Sequence, residues 1–296
     1  LTNVLVMMQQ LPELMDEQDF QWLQTQGALE LRAAALVVLA CTDLDQKRDL
    51  CLALQAKIQA DEVILDAERS FMDDLVFTTQ CPGRPAKPEL MSALDVPRRR
   101  AHSLEGRQAM IHALAHIEFN AINLALDVMV RFANLPEAFY WDWWRVAFEE
   151  SYHFSLLREH LQGMGADYGD FSAHNGLWDM AEKTASSLGD RMAMVPRTLE
   201  ARGLDACPLM RDKLRAAGDA RGADIVDIIL HDEIGHVALG NRWFIYACEL
   251  NSQNPVMQYR ALAEQYNAPR LRPPFNLVAR RAAGFFEEEL TALAAI

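Results

Sequence analysis

The sequence predicts an all-α protein built on a four-helix bundle, with additional N-terminal helices before the bundle and a C-terminal tail after it. Three observations predict this. Apolar residues recur at helical spacing along most of the chain, and alternating strand patterns are absent. Only 14 glycines and 12 prolines interrupt 296 residues, which favours long regular elements. Two motifs of one form, E-x-x-H, sit on apolar helical stripes at matched spacing.

Residues 28–68 read as two helices broken near Thr42 to Asp45, with Thr42 or Asp43 available to cap the second. Residues 80–104 carry Cys81-Pro-Gly-Arg-Pro85, Lys87-Pro88 and Val96-Pro97, so this stretch is a connector. A long helix follows over about 103–132, opened by Ser103 with Glu105 in its first turn. Pro136 starts the next, which runs to about Gly163. Residues 168–175 form a loop. A third long helix is expected over 177–202, ending at Gly203, and a fourth over 219–250. The tail contains Arg272-Pro-Pro-Phe-Asn276 and closes with a short helix near 286–293. The whole, 1–296, reads as a single domain. Its core bundle spans about 103–250, its N-terminal helices about 28–68 and its tail 251–296.

Composition limits the function. The formal net charge of −14 repels a phosphate backbone, so nucleic acid is not an expected partner. The short basic run from Pro97 to Arg100 reads as a solvated loop. Five cysteines (Cys41, Cys51, Cys81, Cys207 and Cys248) form no C-x-x-C pair and are odd in number. They read as buried free thiols in a reducing compartment, which points to a cytoplasmic protein. The longest apolar stretch, near 33–41, is too short to span a bilayer, and no signal peptide is legible.

The chemistry concentrates in the two motifs, Glu150-Ser-Tyr-His153 and Glu233-Ile-Gly-His236. Residues three apart share a helix face, so one carboxylate and one imidazole of each motif can reach one metal ion. Glu150 lies among Trp143, Val146, Phe154 and Leu157; Glu233 lies among Val226, Ile229, Val237 and Gly240. A lone charge on such a stripe costs several kcal/mol, on the order of the penalty for an uncompensated buried ion, unless it is paired or metal-bound. Glu118 precedes Glu150 by 32 residues and Glu200 precedes Glu233 by 33. The chain thus repeats a helical hairpin carrying E…E-x-x-H. Glu118 faces inward beside Ile111, Leu114, Ile122 and Ala125. Glu200 shares its helix with Pro196, which kinks it, and with Leu199, which competes for the interior. Glu118, Glu150, His153, Glu200, Glu233 and His236 are therefore the candidate ligands of two metal ions.

The acids just before each motif, Glu149 and Asp232, are the candidate outer partners. Metal-bound imidazoles donate their second N–H to a carboxylate or carbonyl. Asp232 is expected to reach His153, and Glu149 to reach His236, across the bundle. His112 and His116 point away from the site and read as helix-contact residues. His160, His174 and His231 read as surface or loop residues. Arg197 and Arg202 read as partners of core or loop acids. The tryptophans, including Trp141, Trp143, Trp144, Trp178 and Trp243, read as packing. No dinucleotide fingerprint, phosphate loop or nucleophile elbow is present.

Over nearly its whole length the sequence resembles the bacterial ferritin-like proteins grouped as the DUF455 family. The resemblance is carried by AHIEFNAINLALD (115–127), EESYHFSLLREHL (149–161), YGDFSAHNGLWDMAEKT (168–184), VPRTLEARGLD (195–205), LHDEIGHVALGNRWF (230–244) and PFNLVARRAAGF (274–285). It implies a ferritin-like di-metal carboxylate fold whose ligand pattern falls on the same six residues. Iron is the favoured metal, with manganese or zinc as alternatives. The expected function is a di-iron oxidoreductase or oxygenase that activates O2 on a small-molecule substrate. The alternative is a metal-binding or oxidant-scavenging protein without an organic substrate; a tRNA hydroxylase is disfavoured by the charge. No membrane partner is expected, and a homodimer is left open.

Overall fold

Helices account for nearly all regular structure in the protein, a computed structural model that describes residues 29–97 and 99–295. Ala28, where the first predicted helix begins, and Arg98 of the basic run lie outside the described residues. In chain order the helices are α1 (Leu31–Ala40), α2 (Leu44–Gln59), α3 (Leu75–Gln80), α4 (Leu104–Arg131), α5 (Glu137–Gly163), α6 (Gly176–Lys183), α7 (Leu188–Met194), α8 (Ala201–Ala216), α9 (Ala220–Leu250), α10 (Pro255–Gln265), α11 (Leu277–Ala282) and α12 (Glu287–Ala294). The all-α expectation holds, with one small exception. Leu29–Glu30 and Val63–Ile64 pair as two-residue parallel strands, too short to leave an alternating pattern.

Local chemistry places the helix starts. Asp43 caps α2 by accepting the Gln46 N–H, and Ser103 caps α4 by accepting the Gly106 N–H. Asp219 caps α9 through the Gly222 N–H and also meets His160 Nε2 at 2.9 Å. His160 is thus a tie between two long helices and not a surface residue.

The third predicted helix needs the largest correction. Over 177–202 the chain forms α6, a break at 184–187, and α7. It then makes a π-helical turn over Val195–Glu200 and runs straight through Gly203 as α8 to Ala216. Pro196 has no N–H to give, so the backbone widens there instead of holding α-helical register. Glycine inside a helix weakens it without ending it.

Two hairpins result. α4 packs along α5, and α8 packs along α9; α5 and α9 join the two pairs. α1 lies on α4 and α2 on α5. The buried Arg32 anchors the N-terminal layer, donating to the carbonyls of Met129 (2.8 Å) and Val130 (3.1 Å) at the end of α4. The main apolar cluster runs from Leu31 to Leu262, and a smaller one gathers α8, α9 and the tail around Leu204, Val237 and Phe285.

α4 also corrects the reading of apolar stretches. By length and composition it is long and apolar enough to cross a membrane, and 89% of its apolar window is buried inside the protein. Its polar residues are dispersed, so no unbroken apolar run shows in the sequence.

Candidate metal centre

Three helices bring five of the candidate ligands together. Glu118 comes from α4, Glu150 and His153 from α5, and Glu233 and His236 from α9; each is 5% exposed or less. They form two triads that share Glu150: Glu118, Glu150 and His153, and Glu150, Glu233 and His236. Within each triad one ligand atom per residue lies within 4.8 Å of the others.

Both imidazoles present Nδ1 to the carboxylates. His153 Nδ1 is 3.2 Å from Glu118 Oε2 and 3.2 Å from Glu150 Oε2. His236 Nδ1 is 2.9 Å from Glu150 Oε1 and 3.9 Å from Glu233 Oε2. Glu150 therefore offers one oxygen to each histidine. On the far side of the rings, His153 Nε2 meets Asp232 Oδ2 at 3.0 Å and His236 Nε2 meets Glu149 Oε2 at 2.8 Å. These cross-bundle pairs link α5 with α9 in both directions.

Glu200 stands differently. It ends the π turn, outside both triads, and is half-buried as a residue. Its Oε2 is nevertheless closed to solvent and has no hydrogen-bond partner. Burial, then the negative charge of Glu150, pushes its carboxyl up to about 8. The same two causes push Glu118 up to about 8. Burial and the neighbouring Glu150 also hold Glu233 well above the ordinary carboxylate range. Burial works to raise Glu150 too, but the charge of His236 and the hydrogen bond from His153 win and hold it low. Burial opposes charge on the two histidines, yet their carboxylate partners raise both well above the usual imidazole value.

This is a site short of positive charge. Three carboxyls are raised by burial and by the charge of Glu150, the direction expected of a crowded, buried acidic cluster. Three buried polar atoms lack hydrogen bonds here: Glu200 Oε2, Glu233 Oε2 and His236 Nδ1. His236 Nδ1 is close to Glu150 Oε1 but misaligned for a hydrogen bond, as expected of two donors aimed at a common point. Carboxylates and imidazoles suit first-row divalent metals, so the residues fit a metal ion.

The sequence reading missed two residues of the site and the role of a third. Gly203 faces it, and a Cβ there would lie 4.0 Å from Glu233 Oε1. Cys207, one turn further along α8, is buried with its thiol raised by burial and then by the charges of Glu233 and Glu118. The signal was the spacing Glu200, Gly203, Cys207 on one helical face. Gly240 lets α9 approach the π turn; a Cβ there would meet Pro196 Cβ at 2.5 Å. All five cysteines are free, but Cys41 and Cys81 are only half-buried.

The remaining candidates serve structure. His112 accepts the Gly169 N–H at 2.9 Å, and His116 lies 2.8 Å from the Tyr168 hydroxyl, so both fasten the 168–175 loop. Burial pushes both imidazoles down to about 4. Arg197 is buried and pairs with Asn241 and Glu289, whereas Arg202, His174 and His231 are exposed. Arg99 of the basic run pairs with Glu105 at 2.8 Å. Trp143, Trp144, Trp178 and Trp243 are buried, and Trp141 is partly so.

Comparison with known proteins agrees with the resemblance in the sequence. Residues 40–291 match a family model described as "Protein of unknown function (DUF455)". A Haemophilus influenzae protein described as "Uncharacterized protein" is 47% identical over 213 residues, covering 70% of this chain and 74% of the relative. No solved structure matches.

Proposed function

Since this chain belongs to the DUF455 family, we propose that it is a ferritin-like protein holding two metal ions, iron by preference, and that it acts as an oxidoreductase on O2 and a small-molecule substrate. One observation carries the reading: two buried triads share Glu150, with each histidine turned Nδ1-inward and held by an acid at Nε2. Glu118, Glu150 and His153 would hold one ion; Glu150, Glu233 and His236 would hold the other, with Glu200 completing the second half.

Bound iron would supply the redox electrons that O2 activation needs. The chain's own residues do the rest. Asp232 and Glu149 fix the ring orientation and tautomer of His153 and His236, which keeps a lone pair on each Nδ1. Glu118, Glu200 and Glu233 give up their protons as cations arrive, so affinity rises with pH. The apolar walls around the triads exclude water and strengthen each charge interaction. The 32- and 33-residue spacings place the two halves on equivalent hairpins, which supports a pair of ions over a single one.

Anaerobic titration with Fe(II), with elemental analysis, tests the metal reading; two ions per chain are expected. Addition of O2 with a reductant then tests the redox reading. A chain that takes up no Fe(II) ends the proposal. An iron-loaded chain that consumes no O2 leaves a structural metal site.

A further inference from the structure

A second polar cluster lies away from the triads, where α1, α2 and α4 meet the 81–84 loop. Lys47 of α2 is 2% exposed. Its Nζ donates to Asn123 Oδ1 of α4 at 2.7 Å and to Leu39 O of α1 at 3.2 Å. The same Leu39 carbonyl accepts the Gly83 N–H at 2.7 Å, which brings the loop beside the lysine, and Arg84 follows close enough for its charge to act on Lys47. Gly83 is required for this approach, since a Cβ there would lie 2.2 Å from Ala40 O.

Two donors of the cluster lack acceptors. Asn123 is 0% exposed, and its Nδ2 has no partner. Arg84 Nη2 is closed to solvent and also has none. Lys47 makes no ion pair among the described residues. The titratable groups that act on it most are the thiols of Cys41, Cys51 and Cys81 and the guanidinium of Arg84, with no carboxylate among them. Burial pushes the Cys51 thiol up to about 11 and the Cys81 thiol to about 12, so neither provides a thiolate. Burial lowers Lys47 only to about 8, which leaves it charged at neutral pH. The α1 carbonyl end supplies a fraction of a negative charge. A buried ammonium without a counter-ion is strongly unfavourable, and a water molecule would satisfy donors without cancelling charge.

We propose that this junction binds a monovalent anion, a halide or a small carboxylate, held by Lys47 Nζ, Asn123 Nδ2 and Arg84 Nη2. Monovalence follows from the balance of charge. The acids Glu182 and Asp179 act on Arg84, whereas no carboxylate acts on Lys47, so the uncompensated positive charge is that of Lys47. The site is independent of the metals: Asn123 lies on α4 roughly 140° around the helix from Glu118, at about 100° per residue.

The full chain, kept in sodium gluconate, is titrated with bromide or formate at constant ionic strength, and crystals grown in bromide are measured at the bromine edge. The expected result is a Tm rise of about 5 °C with bromide, formate or both. If bromide is taken, an anomalous peak stands within hydrogen-bond distance of the three donors; if only formate is taken, its density stands there. Asn123→Leu removes both the Tm rise and the bound anion while leaving helicity and metal content unchanged. Should that variant not fold, Arg84→Gln is read the same way. A Tm indifferent to both anions, with only water density between the donors, overturns the proposal.

Discussion

The two hairpins carry one sequence pattern and solve it with different backbones. In the first, Glu118 sits in the regular helix α4, and its Oε2 lies 3.2 Å from His153 Nδ1. In the second, Glu200 closes a π turn, and its Oε2 meets nothing. All three unpartnered polar atoms of the site, Glu200 Oε2, Glu233 Oε2 and His236 Nδ1, belong to the second half. The first half is held by its own hydrogen bonds, while the second leaves three buried polar atoms without them. π turns recur at functional sites because they let one ligand depart from strict helical register. The one-residue difference in spacing, 33 against 32, lies in the half that contains this turn.

The largest expected effect tests what the halves share. Glu150→Ala should strip nearly all metal from the protein by elemental analysis, because both triads use it. Glu118→Ala and Glu200→Ala should each empty mainly their own half. Full metal content in Glu150→Ala would break the shared-ligand picture. Next come the outer acids. Asp232→Asn and Glu149→Gln should each weaken metal affinity by about 10- to 100-fold, measured by competition with a chelator. Equal affinity in both variants and the parent would make the two cross-bundle bonds merely structural.

Two glycines of α9 compare the packing on either side of the site. Gly240→Ala, pressed on Pro196, should cost about 1–3 kcal/mol in urea unfolding. Gly235→Ala meets nothing within 4 Å and should gain about 0.5–1 kcal/mol from helix propensity. The same sign for both would show that the π turn relaxes freely.

The smallest effect per step is pH dependence of the metal-free protein. Glu118 and Glu200 are raised from 4.5 to about 8 on folding. Over that window the folded chain holds protons that the unfolded chain has lost. The contribution of these two groups is therefore full below about pH 4.5 and falls as pH rises to about 8, by about 1.4 kcal/mol per unit for each group. The raised histidines act in the same sense above 6.5. Urea midpoints at three pH values measure the slope, and Glu118→Gln should flatten it. A midpoint that climbs with pH would reverse the charge assignment of the first half.

Much of the site was legible because helical faces follow from residue spacing. Glu118, Glu150, His153, Glu233 and His236 needed only a regular helix to face inward, and each lies in one. Asp232 and Glu149 were legible for a related reason. A residue beside an inward ligand lies 100° around the helix and reaches the neighbouring helix. Glu200 was harder, since Pro196 alone does not say whether a helix ends, kinks or widens. The widening depends on Gly240, which lies 44 residues on and leaves room for the proline ring.

By itself, then, the sequence determined the helical class, the two E-x-x-H faces and their repeat, because these are local consequences of a 3.6-residue period. Tertiary structure alone decided the π turn, the unpartnered state of Glu200 and the meeting of Lys47 with Asn123. Lys47 and Asn123 are 76 residues apart and meet only where α2 and α4 pack. Whether a polar group is satisfied is a property of everything that surrounds it, and no local pattern contains that information.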